Sequence, residues 1–200
     1  YAKLSLESLP NITRAYSFAS KPNADNTRVS FFIRHVPNGA FSSVVQQKNL
    51  VNANIELQGP FGEFYLRESD KPMLMIAGGS GLAPIVSILE QAKEKGCQRP
   101  VTVLLGARTQ ADVYGLKEIE KIAEGWPALF QFEQILSEES DESTWQGMKG
   151  YIGDHLANYT TFNSQVYLCG PPLMIDDCMK KLTLMGISPA EMFADRFVSN

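Results

Sequence analysis

The sequence predicts two domains, a small antiparallel β-barrel or sandwich followed by a doubly wound α/β domain with a parallel sheet. Two observations predict it. Residues 1 to about 68 carry short runs of alternating polarity separated by turn residues, the pattern of half-buried antiparallel strands. From about residue 72, continuous apolar runs alternate with helical segments, which implies parallel strands in a sheet covered on both faces. The composition shift between Glu68 and Pro72 divides the chain into domains 1–68 and 69–200.

In the first domain the strands are YAKLSL, RAYSFAS, RVSFFIRHV and NIELQG. LPN, KPNADN, PNG and GPFGEF are the turns between them, and Phe41 to Gln47 is a short helix or turn. In the second domain MLMIA is a buried strand. PIVSILEQAKEKG is a helix, with Ile85, Ile88, Leu89 and Ala92 at helical spacing and Gly96 as its stop. VTVLLGA is the next strand, GLKEIEKIAEG an amphipathic helix, LFQFEQIL a third strand and SEESDESTWQGMKG a polar loop. Asp154 to Tyr159 is a short helix, QVYLCG a strand, PLMIDDCMKKLTLMG a helix ended by Gly186, and EMFADRFV the last strand.

Composition excludes several classes. The chain is 44% hydrophobic and 20% charged, as in ordinary globular proteins. A net charge of -4 argues against nucleic acid as a main partner, which would need a basic face. No apolar run approaches the roughly 18 residues of a membrane span. The start lacks the basic and apolar regions of a secretory signal. Cys97, Cys169 and Cys178 are an odd set without a C-x-x-C pair, which points to a reducing cytoplasm and to neither a disulfide framework nor a metal site. His35 and His155 are too few for a histidine-rich metal centre, and His155 is read as a surface helix residue. The chain opens on Tyr1 inside a strand, as a piece of something longer would.

Chemistry concentrates at the ends of the parallel strands. IAGGSGLAP lies between the first of them and its helix, where ligands bind in doubly wound sheets. Gly79 and Gly81 would let backbone N–H groups approach phosphate oxygens, and Pro84 suits a first helical turn. CGPP, residues 169–172, follows a second buried strand and should face the same crevice, with the Cys169 thiol either against a ring or packed as a small hydrophobe. In the first domain, alternation puts Arg14 and Tyr16 on one face, a planar fork for phosphate beside a flat stacking surface. Gly39, Ser42 and Ser43 begin a helix and suit a second phosphate contact.

In order, RAYS, HVPNGAFSS, GPFGEF, AGGSGLAP, YLCGPP and FADRF resemble the ferredoxin–NADP reductase superfamily of FAD-dependent reductases over nearly the whole chain. Within it the chain is most similar to the NADH-dependent reductase components of bacterial multicomponent oxygenases, which feed aromatic-ring dioxygenases and diiron hydrocarbon monooxygenases. AGGSGLAPIVS and FADRF look closest to the monooxygenase group. The resemblance implies an FAD-binding barrel, N-terminally incomplete here, and an NAD-binding α/β domain. It implies that Arg14 holds the FAD pyrophosphate, Tyr16 stacks on the flavin and Ser17 sits near flavin N5. His35 and Val36 would line the flavin, while Gly39, Ser42 and Ser43 would bind FAD phosphate or ring edge. Gly79, Ser80, Gly81 and Pro84 would form the pyridine-nucleotide loop, and Cys169, Gly170 and Pro171 would contact the nicotinamide side. Phe197 would cover the other flavin face. Ser80 replaces the commoner threonine, and Asp195 replaces the glutamate that many relatives have near the flavin.

The resemblance also implies hydride transfer from NADH to FAD, and then electron delivery to a [2Fe–2S] centre on a preceding domain or a separate ferredoxin and on to a terminal oxygenase. NADH is favoured over NADPH because Asp112 would repel an extra phosphate in the GARTQADVYGLKE segment, despite Arg108 and Lys117 nearby. The rival readings are another reductase of the superfamily, of flavohaemoglobin or flavin-reductase type, and a nucleotide-binding subunit that has lost flavin.

Overall fold

The computed structural model describes residues 1–23, 25, 27–160 and 163–197. Its first part is an antiparallel sheet of β1 (Ala2–Leu6), β2 (Thr13–Tyr16) and β3 (Ile55–Gln58), in the order β2-β1-β3. Ala2, Leu4 and Leu6 alternate along β1 and pack under Phe41 of helix α1 (Ala40–Gln47). The register sets Leu4 opposite Arg14 and Ala2 opposite Tyr16, so Arg14 and Tyr16 share the face that α1 covers. Three strands pair in this sheet among the described residues, the antiparallel first domain that the sequence predicts, and Ile55 and Leu57 on β3 are exposed.

RVSFFIRHV does not form the expected strand. One antiparallel bridge, Phe18 to Phe31, is all the pairing it makes among the described residues. Its alternation is real: Phe31 and Ile33 join the first domain's core, while Phe32 faces the second domain. Two-sided burial therefore explains the pattern without a hydrogen-bonded ladder.

The second part is a six-stranded parallel sheet of β4 (Met73–Gly78), β5 (Val101–Ala107), β6 (Phe130–Leu136), β7 (Met148–Lys149), β8 (Gln165–Gly170) and β9 (Met192–Arg196). Helices α2 (Leu82–Glu94) and α3 (Leu116–Ala123) cover one face, packing on Met73, Met75 and Ala77. Helices α4 (Ile152–His155) and α5 (Pro172–Leu184) cover the other, packing on Leu74 and Ile76. Burial on both faces is what made these strands continuous apolar runs. Gly96 stops α2 as expected: its φ of 70° is left-handed, and Cys97 N–H closes back on Ala92 O at 2.9 Å.

Two boundaries differ from expectation. The polar loop after β6 contains β7, whose two residues pair with Ile135 and Leu136. Helix α4 begins two residues earlier than Asp154, and His155 within it is half-buried, its Nε2 2.9 Å from Lys149 O. Val198, read as part of the last strand, lies outside the described residues. No helix among the described residues is long and apolar enough to cross a membrane.

The strand order β7-β6-β5-β4-β8-β9 means that the chain runs outward from β4 on one side and resumes on the other at β8. The crevice between the carboxyl ends of β4 and β8 is therefore a topological switch point, where open α/β sheets bind ligands. The first domain is fixed beside it. Ser87 Oγ on α2 donates to Ser20 O at 2.8 Å, and Lys21 N–H donates to Glu90 Oε2 at 3.0 Å. Phe32 meets Tyr114 edge-on with ring centroids 5.5 Å apart.

Candidate functional site

The two turns singled out in the sequence touch each other at the switch point. Gly79–Gly81 is a tight 3₁₀ turn leading from β4 into α2. A Cβ on Gly81 would lie 2.1 Å from Cys169 O, and one on Gly78 would lie 2.7 Å from Pro171 Cδ. Backbone thus packs directly on backbone between residues 78–81 and 169–171. Gly79 differs: its φ is 51°, and a Cβ there would meet nothing within 4 Å. That open, left-handed corner is where a ligand could approach the main chain. Pro84 follows in the first turn of α2 and is buried.

Cys169 is fully buried, opposite Asp195 in the β8–β9 register, with Sγ donating weakly to Asp195 Oδ2 at 4.0 Å. Burial, with the Asp195 charge added, pushes the Cys169 thiol far above its usual range, so it is a neutral group and not a nucleophile. Burial also pushes the Asp195 carboxyl upward. Phe197 N–H donates to Gly170 O at 3.0 Å, which ties the end of β9 to the second turn.

Between the domains runs a narrow cleft of about 80 Å³. Ser17 and Phe18 line it from the first domain, Pro84 and Ser87 from α2, and Asp195 from β9. It is smaller than a pocket that encloses a small molecule, so a cofactor would lie across the surface with only a ring edge inserted.

The remaining residues divide clearly. Arg14 is exposed, and among the described residues its guanidinium holds only its neighbour's carbonyl, Thr13 O, at 2.9 Å. Tyr16 is half-buried against Phe41, ring centroids 5.5 Å apart. His35 and Val36 are exposed; His35 Nε2 lies 3.4 Å from Ser43 Oγ. Ser42 is buried, and its hydroxyl accepts from Val36 N–H at 3.1 Å, closing the loop before α1. Gly39 precedes the eight-residue α1 with no side-chain cap, and its own N–H donates to Val36 O at 2.8 Å. Arg108 pairs with Asp112 at 3.3 Å, and Asp112 also accepts from Thr109 N–H and Oγ1, completing a capping box. Burial works against the ionised Asp112, but the Thr109 hydrogen bonds and Arg108 outweigh it and hold the carboxyl below its ordinary value.

Tyr114 has no counterpart in the sequence reading. Its hydroxyl is buried with no hydrogen-bond partner among the described residues. Burial pushes it up to about 12, against the pull of the Ser80 side chain and of the Arg34 charge. Ser80 is thus near but not in hydrogen-bonding geometry. A tyrosine before a helix-capping glycine carries no signal of this kind; only the meeting of the domains reveals it.

These features fit a dinucleotide and a flavin: an open glycine corner, an orphaned hydroxyl beside it, an uncommitted guanidinium, and a helix start that no side chain caps. No group of three metal-ligating side chains occurs among the described residues.

Residues 2–65 match the oxidoreductase FAD-binding domain family, and residues 75–180 match the oxidoreductase NAD-binding domain family. The chain is 39% identical over 185 residues to the xylene/toluene monooxygenase electron transfer component XylA of Pseudomonas putida, covering 92% of this chain and 53% of that protein. It is 34% identical to the anthranilate 1,2-dioxygenase electron transfer component of Acinetobacter baylyi (strain ATCC 33305 / BD413 / ADP1), covering 100% of this chain and 57% of that one. Among solved structures, the ferredoxin reductase in carbazole 1,9a-dioxygenase superposes with a TM-score of 0.86 at 31% identity, over 98% of this chain and 59% of that one. The chain spans about half the length of the curated relatives it matches.

Proposed function

The chain belongs to the ferredoxin–NADP reductase superfamily of FAD- and NAD-binding oxidoreductases, and from that premise we propose that it is the flavin and nicotinamide part of a reductase that feeds electrons from NADH to a bacterial oxygenase. The observation that carries this reading is the packing of the Gly79–Gly81 turn on Cys169–Gly170 at the switch point, beside a cleft that Ser17 enters from the first domain. Nicotinamide and flavin sites would then face one crevice.

NADH, when bound, would supply the hydride, and FAD would take that electron pair and give it up singly to an iron–sulfur acceptor. The protein's own work is positioning. Arg14 offers its guanidinium fork to the FAD pyrophosphate, and the start of α1, which no side chain caps, offers a second anion contact. Ser42 holds that loop in shape rather than touching ligand. Tyr16 presents to the flavin only the ring surface that Phe41 leaves uncovered. Gly79 and Ser80 receive the nucleotide phosphates, and Tyr114 turns its orphaned hydroxyl to the same ligand.

Cys169 stands beside the nicotinamide as a neutral, weakly donating thiol. Ser17 and Asp195 face each other across the cleft, and Asp195 Oδ2 is the atom able to hold a proton there. Phe197, tied to Gly170, closes the far side of the flavin. Asp112 engages Arg108 and keeps a negative charge beside it, which disfavours the extra phosphate of NADPH and favours NADH. Three unpaired cysteines suit a reducing cytoplasm. The electron acceptor is a [2Fe–2S] domain or ferredoxin, and beyond it an oxygenase.

The test is anaerobic mixing of the purified holoenzyme with one equivalent of NADH or NADPH. Bleaching of a yellow flavin chromophore, faster with NADH, supports the reading. A colourless protein, or a flavin that neither nucleotide reduces, would overturn it.

A further inference from the structure

The segment that leaves the first domain is anchored by one arginine in an unusual way. The Arg67 guanidinium lies over Tyr65, 3.5 Å from the ring centroid, and 5.0 Å from the ring of Phe193 on β9. Its Nη2 donates to Glu63 O at 2.7 Å, while its Nε is buried with no partner among the described residues. The Arg67 backbone is held as firmly. Its N–H donates to the buried Tyr167 hydroxyl at 2.9 Å, and its carbonyl accepts from the buried Arg99 at 3.4 Å. Tyr167 donates in turn to Gln165 Oε1, which also accepts from Arg99.

A buried, unpartnered N–H costs free energy, and a lysine would avoid the cost by reaching solvent. What the guanidinium gains is reach to two places at once. Glu63 belongs to one wall of the interdomain cleft, with Phe61 and Phe64. Phe193 stands two residues before Asp195, which forms the opposite wall. A planar guanidinium can stack its face on one aromatic while its edge donates to another segment, a fixed geometry that the point charge of an ammonium does not impose.

We propose that Arg67 is a positioning residue of the hydride-transfer site, a clasp that fixes the 61–64 wall of the cleft against β9 and so sets the spacing in which Asp195 works. The inference rests on the functional reading above. No sequence pattern marks Arg67.

The experiment compares Arg67→Leu, Arg67→Lys and Tyr65→Leu in the full-length holoenzyme. Tyr65 is exposed, so its replacement spares the core and keeps the test open should Arg67→Leu fail to fold. Stopped-flow flavin reduction should slow by about 10- to 100-fold in the arginine variants, because small misplacements cost that much. The NADH dissociation constant should change by less than about 3-fold, the split expected of lost alignment rather than lost binding. Tyr65→Leu should move both readouts the same way by less.

A second readout needs no turnover: amide exchange in residues 61–64 and 193–197 of the flavin-free protein should quicken in all three variants. Unchanged exchange together with wild-type reduction rates overturns the clasp, as does a loss of rate matched by an equal loss of NADH affinity. If the wild-type holoenzyme is not reduced by NADH, the functional reading fails, and exchange alone then decides whether Arg67 joins the two walls.

Discussion

Gly81→Ala tests the contact on which the site depends. Gly81 has φ of -61° and ψ of -11°, so alanine suffers no backbone strain there. The added methyl would sit 2.1 Å from Cys169 O and 2.5 Å from Cys169 C, both main-chain atoms that no rotamer change can move. Restoring ordinary contact requires the two turns to part by roughly 1 Å. Overpacking of this kind costs about 2–3 kcal/mol, and the reduced entropy of the unfolded chain returns about 0.5 kcal/mol. The net is about 2 kcal/mol, or a melting temperature lower by about 4–8 °C in a chain of this size. The control is Gly96→Ala, where φ is 70° and no atom lies within 4 Å, so only left-handed strain of about 1 kcal/mol applies. Calorimetry gives both numbers. NADH-dependent flavin reduction should fall far more in Gly81→Ala than in Gly96→Ala, whose site is remote. A Gly81→Ala protein that melts with the wild type and keeps its rate would refute the claim that the turns are packed main chain to main chain.

Arg99→Met should destabilise by about 3 kcal/mol in urea titrations, since it strips the carbonyls of Arg67 and Lys71 of their Arg99 donor and leaves Gln165 Oε1 with the Tyr167 hydroxyl alone. Asp112→Asn should lower the melting temperature at pH 7, because the Asp112 capping box and Arg108 contact need the carboxylate. The folded Asp112 is held below its ordinary value of 3.8, so its contribution is fully present above about pH 4 and disappears as pH falls through the folded value; a wild-type advantage that grew on acidification would contradict this. A disulfide reagent at pH 8 should label Cys97 quickly in the native protein, and Cys169 and Cys178 only after unfolding, because burial holds both thiols protonated and out of reach. Tyr114→Phe should raise the stability of the ligand-free protein by up to about 1 kcal/mol by removing an orphaned hydroxyl, and weaken NADH binding measured by titration.

The parallel sheet was legible because its strands are buried on both faces and so read as unbroken apolar runs. The same logic misled at RVSFFIRHV. There Phe32 is buried by the second domain and Phe31 by the first, so alternation reports two flanking cores and not a hydrogen-bonded neighbour. The two residues of β7 are defined wholly by Ile135 and Leu136 beside them, which local polarity cannot encode. At the site, the glycine turn and CGPP were legible as breaks between strand and helix. Their mutual contact was not, because residues 81 and 169 meet only through the β4–β8 register. Tyr114 and Arg67 escaped for a related reason: each matters through an aromatic partner from the other side of the domain boundary.

The division of labour within the chain follows from where its polar groups are buried. At the start of the parallel strands, Arg99, Gln165 and the Tyr167 hydroxyl form a satisfied network that grips residues 67–71. At the carboxyl ends, the polar groups are left open or poorly matched: the Gly79 corner, the Tyr114 hydroxyl, and the Asp195 carboxyl against a neutral thiol. A fold gains stability from the first arrangement and loses it from the second, so the two ends cannot serve the same purpose. The segment 61–67 joins them, with Phe61 in the cleft and Arg67 in the network. Rigid anchoring at one end therefore sets the geometry at the other, and a variant that loosens the Arg99 network should disturb hydride transfer at the cleft as well as the stability of the fold.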